Sequence, residues 1–271
     1  METGTASPTA ETAAGATQPL PAPGALSVIQ VLFAPGSIFA RIAERPRALV
    51  PLAMVTLLSI GSWGALLLRV GDFHPMAETI MKSRPAPPAR EGGPSQEQIV
   101  DIVAKVIPIQ MMAAAVLAPA IVYLICGTLF WILLRVISGS EWRWKTAFSA
   151  TIHGFSPGLV ASALMVLLVF ASPNGGQLFT DALAHQDVPL KSHAGAFVSK
   201  DAVGPFAFAL LSSLDVFSFW MLALLVLGFA RTAKVSKGSS AGVVLGTWLV
   251  YVLAKSMIVG LVLPGLGMGG A

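Results

Sequence analysis

Cysteine is almost absent from this chain: one residue in 271, Cys126. A lone cysteine excludes an intrachain disulfide and any multi-cysteine metal site. Inside an apolar stretch it reads as a small packing residue. Charge is scarce as well. Asp, Glu, Lys and Arg together make up 11% of the chain, against about 25% in soluble domains, too little to cover a water-facing surface. Despite a net charge of +4, no Lys/Arg-rich run or exposed aromatic stripe is present, which argues against a nucleic-acid site. The first residues lack a basic segment followed by an apolar one, so no cleavable signal peptide is read there. The first apolar span is expected to act as the insertion signal. No catalytic, cofactor-binding or metal residues are legible, and an enzyme is not expected.

What the chain has in abundance is apolar sequence: 55% hydrophobic residues and a mean hydropathy of +0.77. Five long apolar stretches lie at roughly 48–70, 107–137, 148–170, 206–230 and 240–263. Each is long enough to cross a hydrocarbon core of ~30 Å, which takes about 20 helical residues. The expectation is an all-α membrane protein, a five-transmembrane-helix bundle with a short N-terminal interfacial amphipathic helix. Residues 1–24, rich in Ala, Thr, Pro and Gly, read as a disordered tail, 25–264 as one membrane domain and 265–271 as a short tail.

Within 25–47, Pro35 suits a helix start and Pro46 its end. Ile38, Phe39 and Ile42 share one face and Arg41, Glu44 and Arg45 the other, as in a helix lying in the membrane interface. The alternative is a helix packed on the inner ends of the bundle. Ser95 followed by Glu97 and Gln98 reads as the start of a helix that runs into the second span, with Pro108 placed to bend it. The centre of the first long loop, KSRPAPPAREGGPSQ, carries too many prolines and glycines to fold alone. Trp142 and Trp144, in the short connection between spans two and three, fit an interfacial aromatic belt. No internal repeat is evident, so an inverted-repeat transporter is not supported.

Basic residues set the orientation. With the N-terminus inside, the inner segments hold Arg41, Arg45, Arg47, Arg135, Arg143, Lys145, Arg231, Lys234 and Lys237. The outer ones hold Lys82, Arg84, Arg90, Lys105, Lys191 and Lys200, nine against six. Short segments carry the topological weight, and the nine lie in them. The N-terminus is therefore expected to be cytoplasmic and the C-terminus extracytoplasmic.

Three pieces of sequence carry a family resemblance: VLFAPGSIFARIAERP, LLRVISGSEWRWKTAFSATIHGFSPGLV and SSLDVFSFWMLALLVLGFARTAKVSKGSSAGVV. Together they resemble the Yip1 domain over about residues 28–260. The resemblance implies five spans, a cytoplasmic N-terminus and a proline-bearing third span. It also implies an Asp-to-Trp run leading to a glycine near the end of span four, here Asp215, Phe217, Trp220 and Gly228. Eukaryotic members bind small GTPases of the Rab type in vesicle traffic. The Ala/Gly/Pro-rich make-up and the two long outer loops look more like a bacterial member, without Rab partners. The resemblance implies a non-enzymatic adaptor or organiser in the bacterial cytoplasmic membrane. Its partners would be membrane lipids, other membrane proteins or a second copy of itself, with no cofactor.

Asp215 and Lys255 are the most informative polar residues. On unbroken helices at 1.5 Å per residue they lie ~14–15 Å and ~12 Å from the same surface. An unpaired charge there costs about 2.5–3.5 kcal/mol, so a salt bridge or one-water approach is expected, with Gln110 as a candidate third member. A small transporter or permeation component using this region is the alternative function. The run His153-Gly154-Phe155-Ser156-Pro157-Gly158 contains a formal G-x-S-x-G. With no acid in spans one to three, it reads as packing by Gly154 and Gly158 and bending at Pro157, not as catalysis. Gly242 and Gly246 form a second small-residue seam, expected to pack within the chain, with dimerisation as the alternative. His185, Asp187 and His193 share the second outer loop without a standard metal spacing and are expected to be solvated.

Overall fold

A computed structural model describes residues 20–82, 93–184 and 188–262. Most of the expected N-terminal tail, the centre of the first loop, His185, Asp187, Pro264 and the C-terminal tail lie outside the described residues.

The elements are helical throughout. In chain order they are α1 (Ser27–Gln30), α2 (Pro35–Glu44), α3 (Leu49–Val70), α4 (His74–Lys82), α5 (Gln96–Ser138), α6 (Trp144–Gly154), α7 (Pro157–Ala171) and α8 (Gly175–Ala184). A short 3-10 turn (Ala194–Phe197) follows, then α9 (Lys200–Leu211), α10 (Val216–Thr232), α11 (Lys237–Met257) and a π segment, Ile258–Val262. Among the described residues, four helices are long and apolar enough to cross a membrane: Leu49–Val70, Gln96–Ser138, the α6–α7 unit Trp144–Ala171, and Lys237–Gly260. The fifth apolar stretch is not one helix. It is broken between α9 and α10, and α10 has 17 residues, a rise of about 25 Å that falls short of the ~30 Å core.

Helix α5 runs for 43 residues through Pro108 and Pro119 without interruption. At 1.5 Å per residue it reaches ~64 Å, so its first turns project beyond any bilayer. Ser95 opens it with a reciprocal cap: Ser95 Oγ accepts the Gln98 amide at 3.2 Å, and the Ser95 amide donates to Gln98 Oε1 at 2.8 Å. The projecting turns pack on α4, burying Phe73, Met76, Ala77, Ala104 and Ile107. Between α6 and α7 the helix breaks at Phe155–Ser156. Pro157 has no N–H to continue the ladder, and the Ser156 amide closes a tighter turn onto His153 O at 3.2 Å.

The largest core cluster sits at the end where α2, α6, α10 and the α5–α6 connection meet. Ile38, Phe39, Ile42, Phe130, Leu134, Trp142, Leu222, Leu225 and Phe229 are buried there together. This decides the fate of α2. The apolar face of Ile38, Phe39 and Ile42 is taken up by protein rather than lipid, so the helix packs on the bundle instead of lying with that face in the interface. Gly228 makes the fit possible, since a Cβ there would come within 2.6 Å of the Phe39 ring. Trp142 is likewise buried, edge-on to Phe229 at 5.4 Å, and is no belt residue; Trp144 is partly exposed and stacks on Phe148 at 5.2 Å. Residues 20–24 are not a loose tail. The Arg41 guanidinium donates to Pro21 O at 2.7 Å and Ala22 O at 3.0 Å, drawing the segment onto α2.

Candidate functional site

The α9–α10 break organises the end of the bundle away from α2. Its sequence is Ser212-Ser213-Leu214-Asp215, residues whose short polar side chains compete with the helical ladder for backbone groups. Ser213 Oγ donates back to Ala209 O at 2.8 Å. Asp215 takes an extended conformation and caps α10, its Oδ2 accepting the Ser218 amide at 2.9 Å and the Ser218 hydroxyl at 3.3 Å. Its Oδ1 accepts the Ser192 hydroxyl at 2.5 Å. The loop that carries Ser192 also satisfies the freed backbone. Ala194 N donates to Leu214 O at 3.0 Å and Val216 N to Ser192 O at 3.2 Å, around a bridge between His193 and Asp215. Irregular backbone at membrane depth is tolerated where protein or a cavity supplies partners in this way.

The direct Asp215–Lys255 ion pair expected from sequence is not formed among the described residues. The helix that would carry Asp215 to that depth is broken, and the carboxylate instead becomes a helix cap that serine donors satisfy. Lys255 is half-buried on α11. Gln110 is exposed on α5 and is not among the residues lining the cavity described next.

A cavity of about 340 Å³ adjoins the break. Its lining is apolar at Trp63, Leu66, Met165, Phe179 and Phe217, and polar at Ser162, Ser192, His193, Ser212, Asp215 and Ser218. His193, expected in solvent, is buried here at 4% exposure, because the bridge to Asp215 draws its loop inward. Ser212 Oγ is buried without a hydrogen-bond partner among the described residues. Ser62 to Leu66 lie four to eight residues before the end of α3, which places the cavity ~6–12 Å below that end.

The glycines divide by role. A Cβ on Gly154 would lie 2.3 Å from Leu225 Cδ2, so Gly154 permits close approach of α6 and α10. Gly158 has open space where a Cβ would stand and lines the cavity. Gly242 and Gly246 also meet nothing and are exposed. Their seam turns outward rather than packing within the chain, because α11 buries the neighbouring positions Val243 and Val244 instead. In the formal G-x-S-x-G, His153 Nε2 pairs with Ser27 Oγ at 2.8 Å and Nδ1 with Ser149 O at 2.7 Å. Ser156 is buried, and its Oγ has no hydrogen-bond partner among the described residues. His153 ties α1 to α6.

A second polar cluster escaped the sequence reading. Asp72 Oδ1 meets His74 Nδ1 at 2.8 Å, Asp101 Oδ1 meets His74 Nε2 at 3.1 Å, and Lys105 donates to Asp101 Oδ2 at 2.6 Å. The hydrogen bond to Asp72, then that to Asp101, raises the His74 pKa above its ordinary 6.5. Asp72-x-His74 was a visible local signal; Asp101, 27 residues further on, was not.

The Yip1 domain model matches residues 29–258. The chain is also similar to "Membrane protein YknW" of Bacillus subtilis (strain 168), with 26% identity over 238 residues, covering 86% of this chain and 90% of that protein. No solved structure matches significantly. With the family model covering most of the chain and four helices of membrane-crossing length, this is a membrane protein belonging to the Yip1 domain family.

Proposed function

We propose that the protein is a non-enzymatic adaptor or organiser that gathers membrane partners and lipids at a rigid basic face. Arg45, Arg47, Arg135, Arg143, Lys145, Arg231, Lys234 and Lys237 are all exposed, and contacts across the largest core cluster collect their segments at one end of the bundle. Ser140 Oγ donates to Ala233 O at 2.8 Å, locking the α5–α6 connection to the end of α10, while Phe39 holds α2 against the same helix. A dense core beneath exposed charge positions that charge without flexibility, which is what docking of anionic lipid or an acidic partner requires. That observation carries the reading.

On this reading α9 and α10 together make a fifth crossing. The basic face and the N-terminus lie in the cytoplasm of a bacterium and the C-terminus on the far side of its cytoplasmic membrane, because basic residues near spans are retained inside. The outward Gly242–Gly246 face is open to a second copy or another membrane helix. The broken α9–α10 element beside a cavity favours a second reading, a permeation or transport component, since such breaks line binding sites in transporters.

The test is photocrosslinking in native membranes from probes placed at Arg45 and Lys237, with Phe197 at the opposite end as control. The adaptor reading expects discrete protein adducts from the first two, lost when Arg231 and Lys234 are changed to Gln. Adducts unaffected by those changes, or confined to Phe197, contradict it. Flux abolished by Asp215→Asn with those adducts unaltered favours the second reading.

A further inference from the structure

We propose that the cavity beside the α9–α10 break binds an ammonium group carried on an apolar chain. The inference does not rest on the adaptor reading, which concerns the opposite end of the bundle. Among the described residues, Asp215 is the only carboxylate, lysine or arginine lining the cavity. A carboxylate offers about four acceptor positions, and the Ser192 hydroxyl, the Ser218 amide and the Ser218 hydroxyl occupy three. The remaining capacity calls for a donor. Its position ~6–12 Å below the end of α3 makes an uncompensated charge costly, so a cation gains more there than a neutral hydroxyl does. Phosphate and carboxylate heads find no lysine or arginine in the lining among the described residues and are disfavoured beside Asp215.

The apolar part of the lining selects the body of the ligand. Trp63, Leu66, Met165, Phe179 and Phe217 present apolar and aromatic surface, and aromatic faces attract ammonium groups as well as alkyl chains. A volume of about 340 Å³ lies within the range of small-ligand sites, roughly 300–1,000 Å³, which combine apolar walls with a few polar groups. Gly158 keeps this space open, since a Cβ there meets no atom.

The test titrates the full chain in neutral maltoside micelles with dodecylammonium, 1-dodecanol and dodecanoate, following the tryptophan emission lost in Trp63→Phe. Saturable binding of the ammonium is expected, about tenfold tighter than the alcohol, with no response to the carboxylate. Asp215→Asn keeps a good helix cap and removes the charge, and should weaken ammonium binding about tenfold with the fold intact. Gly158→Leu fills the cavity from the other side and should abolish binding. Lysophosphatidylethanolamine separates two sources of the same chemistry: its binding alongside the ammonium points to an aminolipid, and its failure to a free hydrophobic amine, either of which supports the proposal. Equal affinity for ammonium and alcohol overturns it. So does undiminished binding in folded Asp215→Asn or folded Gly158→Leu.

Discussion

Asp215 receives the Ser192 hydroxyl at 2.5 Å and the Ser218 amide at 2.9 Å, so a single carboxylate joins the loop that carries Ser192 to the start of α10. Removing it should release both. Asp215→Ala is expected to cost about 1–2 kcal/mol, the range for a lost N-cap, and to speed proteolysis within residues 188–199. Asp215→Asn should lie close to wild type in thermal unfolding in detergent. Equal destabilisation by the two substitutions would show that charge, not capping, holds the break together.

Phe39 is 1% exposed and rests against Gly228. Phe39→Ala should cost about 3–5 kcal/mol, as for aromatic truncation in a packed core, and free α2 from the bundle, read as increased hydrogen exchange over residues 35–44. Unchanged exchange would mean that α2 is held by its polar contacts alone.

Two glycines of equal size should respond in opposite ways. Gly154→Val forces contact with Leu225, already 2.3 Å from an added Cβ, and should destabilise by about 1–3 kcal/mol. Gly246→Val meets open space and should stay within about 0.5 kcal/mol of wild type in dispersed, monomeric protein. Melting curves of the two variants decide this, and a large loss for Gly246→Val would refute the outward seam.

His74 should titrate above its ordinary 6.5, chiefly through its hydrogen bond to Asp72 and then that to Asp101. A raised folded-state pKa contributes stability that is fully present below 6.5 and lost as pH rises through the folded value. The α4–α5 contact should therefore loosen on the alkaline side, seen as rising exchange over residues 74–82, and His74→Gln should flatten that dependence. A His74 midpoint below 6.5 by nuclear magnetic resonance would reverse the sign.

Much of the architecture can be read from the chain. Four of five apolar stretches are helices of crossing length, Ser95 starts α5, and Ile38, Phe39 and Ile42 do share a buried face. The break in the remaining stretch is hidden from hydropathy because Leu210, Leu211 and Leu214 keep the average high across it. Yet Asp215, a favoured N-cap residue shortly after Ser212 and Ser213, was the available signal. The partner of Asp215 was not legible. Ser192 lies 23 residues away, brought in by a loop whose path follows from backbone groups the break leaves unsatisfied. Nor does periodicity reveal whether α2 faces lipid or protein, since both reward the same apolar stripe.

A docking role for the basic face requires that face to lie on the cytoplasmic side of the membrane. In a Cys126→Ala background, Phe197→Cys and Lys237→Cys place single thiols at exposed positions at opposite ends of the bundle. Labelling intact cells with a membrane-impermeant maleimide should modify the cysteine at 197 at once and the one at 237 only after permeabilisation. Labelling of 237 in intact cells, with 197 protected until permeabilisation, would contradict the proposed orientation and with it a cytoplasmic docking face.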